Sequence, residues 1–349
     1  MTVKINATGL VLNFVNRYLI WRDFQNFTKQ HSEPVVTIDA SGIPCLPYHD
    51  IQAINAQVSD VVAIDCMTEG IHSQHTFRQY APNKKYIIFA NGSWDQDCHD
   101  LGIDYELIPH LFFLFDTADV YNSPNRFGYL ADKDYNFDSP KPYDFMSTIG
   151  NVRPDRTRLV KQLCEATQGQ QRIVRYSGQD WAEPSDHLDC VTFEPGQFDP
   201  YTALHPQYFY TVSLSIPMSM YNACRFNLVV ETDVTQQHSF FLTEKTVKVL
   251  LTGMPFVIMS TVHFLRSLHD LGFRTYHTLW DESYDQELDL DNRRNKVVQL
   301  CQQLSSFDWA QHRNQLEAIK LHNQCNFLKL GTVIDQEFKH FEQVIQGLT

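Results

Sequence analysis

Arg225-Phe226-Asn227-Leu228-Val229-Val230-Glu231 is followed, after an eleven-residue loop, by Thr243-Glu244-Lys245 and then by Gly253-Met254-Pro255-Phe256. The apolar run 226–230 reads as a strand buried on both faces that ends at a carboxylate. Thr243 has the side chain of a helix N-cap, and Val247, Leu250 and Leu251 share one face of the helix it opens. Gly253 suits a left-handed helix end, and residues 255–259 form the next strand. The segment is therefore a βαβ unit that brings Glu231, Glu244 and Lys245 to one sheet edge. Helix N–H groups and an ammonium there favour a pyrophosphate, while a carboxylate accepts hydrogen bonds from ribose hydroxyls. Taken alone, Thr243-Glu244-Lys245 also reads as a cap, a first-turn acid and a surface lysine.

The same alternation extends outward. Residues 144–149 read as a strand, 151–154 as a turn, 155–166 as a helix with Leu159, Val160 and Leu163 on one face, and 173–176 as the next strand. Near the amino end, Val35-Val36-Thr37-Ile38, Val61-Val62-Ala63-Ile64 and Tyr86-Ile87-Ile88-Phe89 are short apolar runs with the character of buried parallel strands. They end in Asp39, Asp65-Cys66-Met67-Thr68-Glu69 and Asn91-Gly92-Ser93, which puts polar groups where open α/β sheets bind ligands. Asn91-Gly92-Ser93 reads as a turn rather than a glycosylated sequon. Residues 116–142 lose the pattern and read as a linker. Val297, Leu300, Cys301 and Leu304, then Leu316 and Ile319, then Val333, Phe338 and Phe341, mark C-terminal helices. The expected architecture is α/β: a Rossmann-like domain over residues 1–135, a second over 143–349, a cleft between them, and a C-terminal helical segment.

Composition narrows the class. A chain of 349 residues, 43% apolar, is long enough to split into two cores. No apolar stretch approaches the roughly 20 residues that span a bilayer, and the first residues lack a signal-peptide pattern, so the cytoplasm is the expected location. Eight cysteines without a C-x-x-C pair suggest reduced, mostly buried thiols rather than a zinc cluster or disulfide scaffold. A net charge of -13 argues against broad affinity for nucleic acid.

The segment 225–260 resembles the α1,3-fucosyltransferase family and a wider group of exostosin-like and phage-encoded glycosyltransferases of the two-Rossmann-domain (GT-B) kind. In that family F-N-L-x-x-E precedes a loop, T-E-K opens a helix, and G-x-x-P precedes the next strand. Phe226-Asn227-Leu228, Glu231, Thr243-Glu244-Lys245 and, one residue shorter, Gly253-Met254-Pro255 match. The resemblance implies that Glu244 binds the donor ribose, Lys245 the donor phosphates, and that Glu231 orders the site. The fucosyltransferases carry Asn after the strand glutamate where this chain has Thr232. The continuation through Gly272-Phe273-Arg274-Thr275-Tyr276 to Trp280-Asp281-Glu282-Ser283-Tyr284-Asp285 is closer to the exostosin-like and phage group.

The turn Gly150-Asn151-Val152-Arg153-Pro154-Asp155-Arg156 is a second donor-site candidate through Asn151, Arg153 and Arg156, since a helix start and two guanidiniums suit phosphates; Arg225 is a further candidate. An inverting transfer needs a base for the acceptor hydroxyl, and Asp65 and Glu69 are the catalytic candidates, with the alternative that they cap the next helix. His72, His75 and His110 are weaker ones. Asp95-Gln96-Asp97 and Asp289-Leu290-Asp291 have D-x-D form but arise readily among 41 acidic residues; residues 281–285 read as a solvated loop. No metal and no cofactor is expected beyond a nucleotide sugar as co-substrate. The acceptor is then a glycan or a modified DNA base, although Lys84 and Lys85 are too few to mark a basic groove. The alternative is a non-catalytic nucleotide- or glycan-binding protein of the same fold.

Overall fold

The computed structural model describes residues 3–6, 36–38, 43–66, 74–94, 101–111, 134–149, 153–176, 216, 218–235, 239–327, 329 and 331–347. The chain divides into two compact units, Met1–Phe112 with Leu330–Thr349, and Phe113–Lys329. The C-terminal helix thus groups with the first unit, whereas the sequence pattern joins it to the second.

In the first unit, β1 (Val3–Asn6), β2 (Val36–Ile38), β3 (Ile43–Pro47), β4 (Val61–Cys66) and β5 (Lys85–Asn91) are followed by the two-residue β6 (Ser93–Trp94) and by β7 (Asp104–His110). The sheet order is β2-β1-β3-β4-β5-β7 with parallel pairing throughout. Val62, Ala63 and Ile64 of β4 and residues 86–90 of β5 are fully buried, as the apolar runs require of strands covered on both faces. Two short helices, α1 (Ile51–Asn55) and α2 (Gln74–Phe77), lie in the connections. The final helix, Gly331–Gly347, packs on β7. Its Phe341 ring lies 6.0 Å from that of Phe89, and Glu337 accepts from Leu111 N–H at 2.9 Å.

The second unit contains β8 (Tyr143–Ile149), α3 (Pro154–Ala166), β9 (Arg172–Tyr176), α4 (Met218–Ala223), β10 (Cys224–Val230), β11 (Ser239–Phe240), α5 (Glu244–Thr252), β12 (Phe256–Met259), α6 (Phe264–Asp270), α7 (Leu290–Gln303) and α8 (Arg313–Phe327). Its four-stranded sheet runs β12-β10-β8-β9, again all parallel. The crossovers from β8 to β9 and from β10 to β12 run in opposite directions, and the right-handed sense that parallel crossovers take then puts α3 and α5 on opposite faces. Helix α7 packs on α3, and α8 on α5. This is the layering of a Rossmann-like sheet, as the alternating pattern predicts.

Two local details differ from the sequence reading. Residues 134–142 are no free linker: Tyr135 is 2% exposed, its hydroxyl donates to the carbonyls of Cys224 and Arg225, and its N–H donates to Thr252 O. Nor are residues 281–285 a solvated loop. Asp285 accepts from the N–H groups of Leu265 and Arg266, capping α6, and Glu282 accepts from Tyr276 N–H and the Thr275 hydroxyl. Gly253 ends α5 at φ 72°, and a Cβ there would meet the Lys320 side chain at 2.1 Å, so both the backbone and the packing require glycine. No described helix is long and apolar enough to cross a membrane. Among the described cysteines Cys45, Cys66, Cys224 and Cys301 are buried, Cys164 is half-buried and Cys325 is exposed.

Candidate functional site

From β8 the chain steps to β9 on one side, and the later strands β10 and β12 lie on the other. The strand order therefore reverses between β8 and β10, and open α/β sheets bind ligands beyond the carboxyl ends of the strands at such a point. Arg153 and Arg156 follow β8, and Glu231 and Thr232 follow β10. The two segments singled out from sequence are neighbours because β8 and β10 pair directly.

Glu231 is fully buried. One carboxylate oxygen accepts from Thr243 N–H at 3.2 Å and the Thr246 hydroxyl at 2.6 Å; the other accepts from the Thr243 hydroxyl and, at 3.3 Å, from Thr232 N–H. With these four donors Glu231 fastens the start of α5 to the end of β10. Thr243 is the N-cap and accepts from Lys245 N–H at 3.4 Å.

The Lys245 ammonium lies 3.1 Å from the hydroxyls of Thr232 and Thr243 and 3.4 Å from a Glu244 oxygen. Its side chain stays 23% exposed, so it is held in place yet reachable. Burial pushes the Glu244 carboxyl up, but the Lys245 and Lys248 ammoniums and the hydrogen bonds from its own N–H and from Lys245 outweigh this and leave it below the usual carboxylate range. Glu244 is therefore an ionised acceptor beside a helix start, next to a lysine. Lys248, 7% exposed, stands four residues on and faces the same carboxylate. The sequence reading passed over it because a lysine inside an apolar helix face looks like an interruption.

Both arginines of the β8 turn reach across the strand reversal. Arg156, 3% exposed, donates to the carbonyls of Glu231 (3.0 Å) and Thr232 (3.2 Å). Half-buried Arg153 donates through Nη1 to Thr232 O at 3.0 Å and makes no cap hydrogen bond, so the rest of its fork is unspent on described residues. Asn151 lies outside the described residues. His263, at the far side of β12, is exposed with φ 62°, an uncommon backbone for a residue other than glycine. Nothing in its sequence context signals that conformation.

Arg225 does not join this group. It is the second residue of β10, six positions before Glu231, and a strand of that length separates the two by about 20 Å. Asp65 is half-buried near the carboxyl end of β4, with its carbonyl accepting from Tyr48 N–H. Glu69 and His72 lie outside the described residues, and of the His75 side chain nothing is described. His110 is 1% exposed and its Nδ1 meets the Glu337 carboxylate at 2.5 Å, which ties the C-terminal helix to β7. Lys84 donates to the carbonyls of Gln57 and Ser59, and Lys85 pairs with Glu106, so both serve the sheet edge. Of the D-x-D triplets, Asp289 caps α7 and Asp291 pairs with Arg294 at 2.8 Å, while residues 95–97 lie outside the described set.

No protein-family model matches the chain, and no curated protein matches its sequence. Among solved structures, a crystal structure of an α1,3-fucosyltransferase is similar over 99% of this chain and 90% of its own, at 12% identity and TM-score 0.41. The crystal structure of AviGT4, a glycosyltransferase involved in avilamycin A biosynthesis, is similar over 91% of this chain and 82% of its own, at 13% identity and TM-score 0.36. Likeness at this level names no substrate for the chain.

Proposed function

We propose that this chain is a nucleotide-sugar-dependent glycosyltransferase whose donor lies beyond the carboxyl ends of β8 and β10. One observation carries the reading: the start of α5, with the Lys245 ammonium and the ionised Glu244 carboxylate, stands at the strand reversal of a parallel sheet. The sequence resemblance over residues 225–260 points the same way. Lys245, the N-terminal dipole of α5 and the free part of the Arg153 fork balance the charge of the diphosphate, and Glu244 accepts from ribose hydroxyls.

Transfer breaks the bond between the anomeric carbon and the diphosphate oxygen and forms one to an acceptor hydroxyl. The leaving diphosphate gains charge as the bond breaks, so Lys245 and the helix start stabilise the transition state more than the ground state. The hydroxyl proton passes to a carboxylate, for which Asp65 and Glu69 are the candidates from sequence, and a single displacement inverts the anomeric carbon. Thr232 in place of the fucosyltransferase asparagine leaves the donor sugar open, and no metal is assigned a role.

A thermal-shift panel of nucleotide sugars and free nucleotides tests the proposal. A true donor at a hundredfold excess over its Kd stabilises by about 2.7 kcal/mol, and release of its nucleoside diphosphate in the presence of an acceptor glycan completes the case. Stabilisation without release under any acceptor points to the non-catalytic binding protein, and no stabilisation by any nucleotide sinks the transferase reading.

A further inference from the structure

A cavity of about 310 Å³ opens at the amino-terminal end of β10, within the second unit, walled by Tyr135, Phe137 and Trp309 and rimmed by Lys141, Arg225 and Arg313. Its size falls at the small end of the range for small-molecule sites. It is remote from Lys245, because Arg225 and Glu231 bracket almost the whole of β10.

The three cations differ in what they have left to offer. Lys141 donates at 2.8 Å to Asn136 O, Ser139 Oγ and Asn222 O, which uses all three of its protons, and its Nζ rests 3.9 Å from the centre of the Tyr135 ring. Arg313 grips both oxygens of Asp138 at 3.0 Å and gives its Nε–H to Glu317 at 2.7 Å. Arg225 makes only a loose ion pair, its Nε 3.7 Å from Asp144, and no hydrogen bond from its guanidinium to a described residue is formed. Arg225 is therefore the donor fork open to a ligand, and the other two supply field. Burial, with Arg225 and Arg313 adding to it and Cys224 and Asp138 opposing, pushes the Lys141 ammonium down to about 8.

The walls select shape. Trp309, which lines the cavity, stacks on Phe226 with ring centres 6.0 Å apart and planes at 13°, and Phe307 stands edge-on to it at 5.0 Å, so its ring is held rigidly at the cavity wall. Phe137 stands edge-on to Tyr135 at 4.8 Å and carries the Arg313 guanidinium 4.7 Å from its centre. Flat aromatic walls favour a ring, and one open guanidinium favours a single carboxylate bound through both oxygens.

We propose that this cavity is a second ligand site, separate from the donor crevice, that takes a six-membered ring bearing one carboxylate, with the ring against Trp309 and the carboxylate on Arg225. The site stands whether or not the chain transfers sugars. Calorimetric titration of the full chain with benzoate and with glucuronate, each against its uncharged counterpart (methyl benzoate, glucose), tests it in wild type and Arg225→Gln. The expected result is saturable binding of at least one acid, none of its uncharged counterpart, and at least a tenfold loss in Arg225→Gln at an unchanged melting temperature. The tighter acid tells an aryl acid from a sugar acid. Absence of saturable binding by both acids, or equal binding in wild type and variant, overturns the proposal.

Discussion

The two ends of β10 solve opposite problems with the same strand. At the carboxyl end a buried glutamate is surrounded by protein donors, and a lysine and a second glutamate are fixed at a helix start. At the amino end aromatic rings enclose a cavity and one guanidinium keeps its hydrogen-bonding capacity. At the carboxyl end the polar contacts converge on one carboxylate; at the amino end aromatic packing is joined by hydrogen bonds spread over Tyr135, Lys141 and Arg313. The two regions should therefore respond very differently to substitution.

The largest effect is expected at Glu231. Replacing it by Ala leaves two threonine hydroxyls and two N–H groups without this acceptor, and each buried donor left unsatisfied costs about 1 to 3 kcal/mol. A urea titration of Glu231→Ala should show a midpoint far below wild type. A loss under about 1 kcal/mol would mean that the cluster is not interlocked.

Two carboxyls, that of buried Glu244 and that of half-buried Glu282, sharpen the contrast through pH. Glu244 sits among cations and its carboxyl is held low, so its stabilisation is present above the usual carboxylate range and lost as pH falls through its lowered value. Glu282, packed beside Tyr276, is pushed by burial up to about 7. Its contribution has the opposite sign: it is fully present below the unfolded carboxylate value near 4.5 and lost as pH rises through about 7. The shift corresponds to roughly 3 kcal/mol. Melting temperatures of wild type should decline between pH 5 and 8, and Glu282→Gln should flatten that decline and melt higher than wild type at pH 8. Parallel curves would place the proton elsewhere.

The smallest effect is expected at the amino end. Tyr135→Phe removes hydroxyl contacts to the carbonyls of Cys224 and Arg225 but keeps the ring, and should cost about 1 kcal/mol. If equilibrium unfolding gave a loss as large as that of Glu231→Ala, the distinction between the two ends would fail.

The chemistry-bearing segment was legible because several signals coincide in it: a run buried on both faces, a threonine cap, an apolar helix face and a closing glycine. Other elements hid for identifiable reasons. Strand β3 carries Pro44 and Pro47, and β7 carries Asp104, Glu106 and Pro109; β7 lies at the sheet edge, where a missing N–H and charged side chains are tolerated. Acidic residues 281–285 read as solvated because charge alone cannot reveal that backbone N–H groups from α6 and the Tyr276 loop will meet them. Arg225 fell into the wrong group since closeness in sequence hides the length of a strand. Residues 67–73 and 150–152 lie outside the described set, so Glu69 and Asn151 remain expectations from sequence.

The central claim is that the start of α5 binds the nucleotide diphosphate, and calorimetric titration of wild type, Glu244→Ala and Lys245→Ala with the matched nucleoside diphosphate tests it directly. Loss of a charged hydrogen-bonding partner costs on the order of 1.5 to 3 kcal/mol, about ten- to a hundredfold in affinity. Each variant is expected to bind at least tenfold more weakly, with Lys245→Ala melting near the wild-type temperature and Glu244→Ala still folding cooperatively but melting lower, because the stabilisation by its carboxylate is lost. Unchanged affinity in both would reduce Thr243-Glu244-Lys245 to a helix cap and contradict the account.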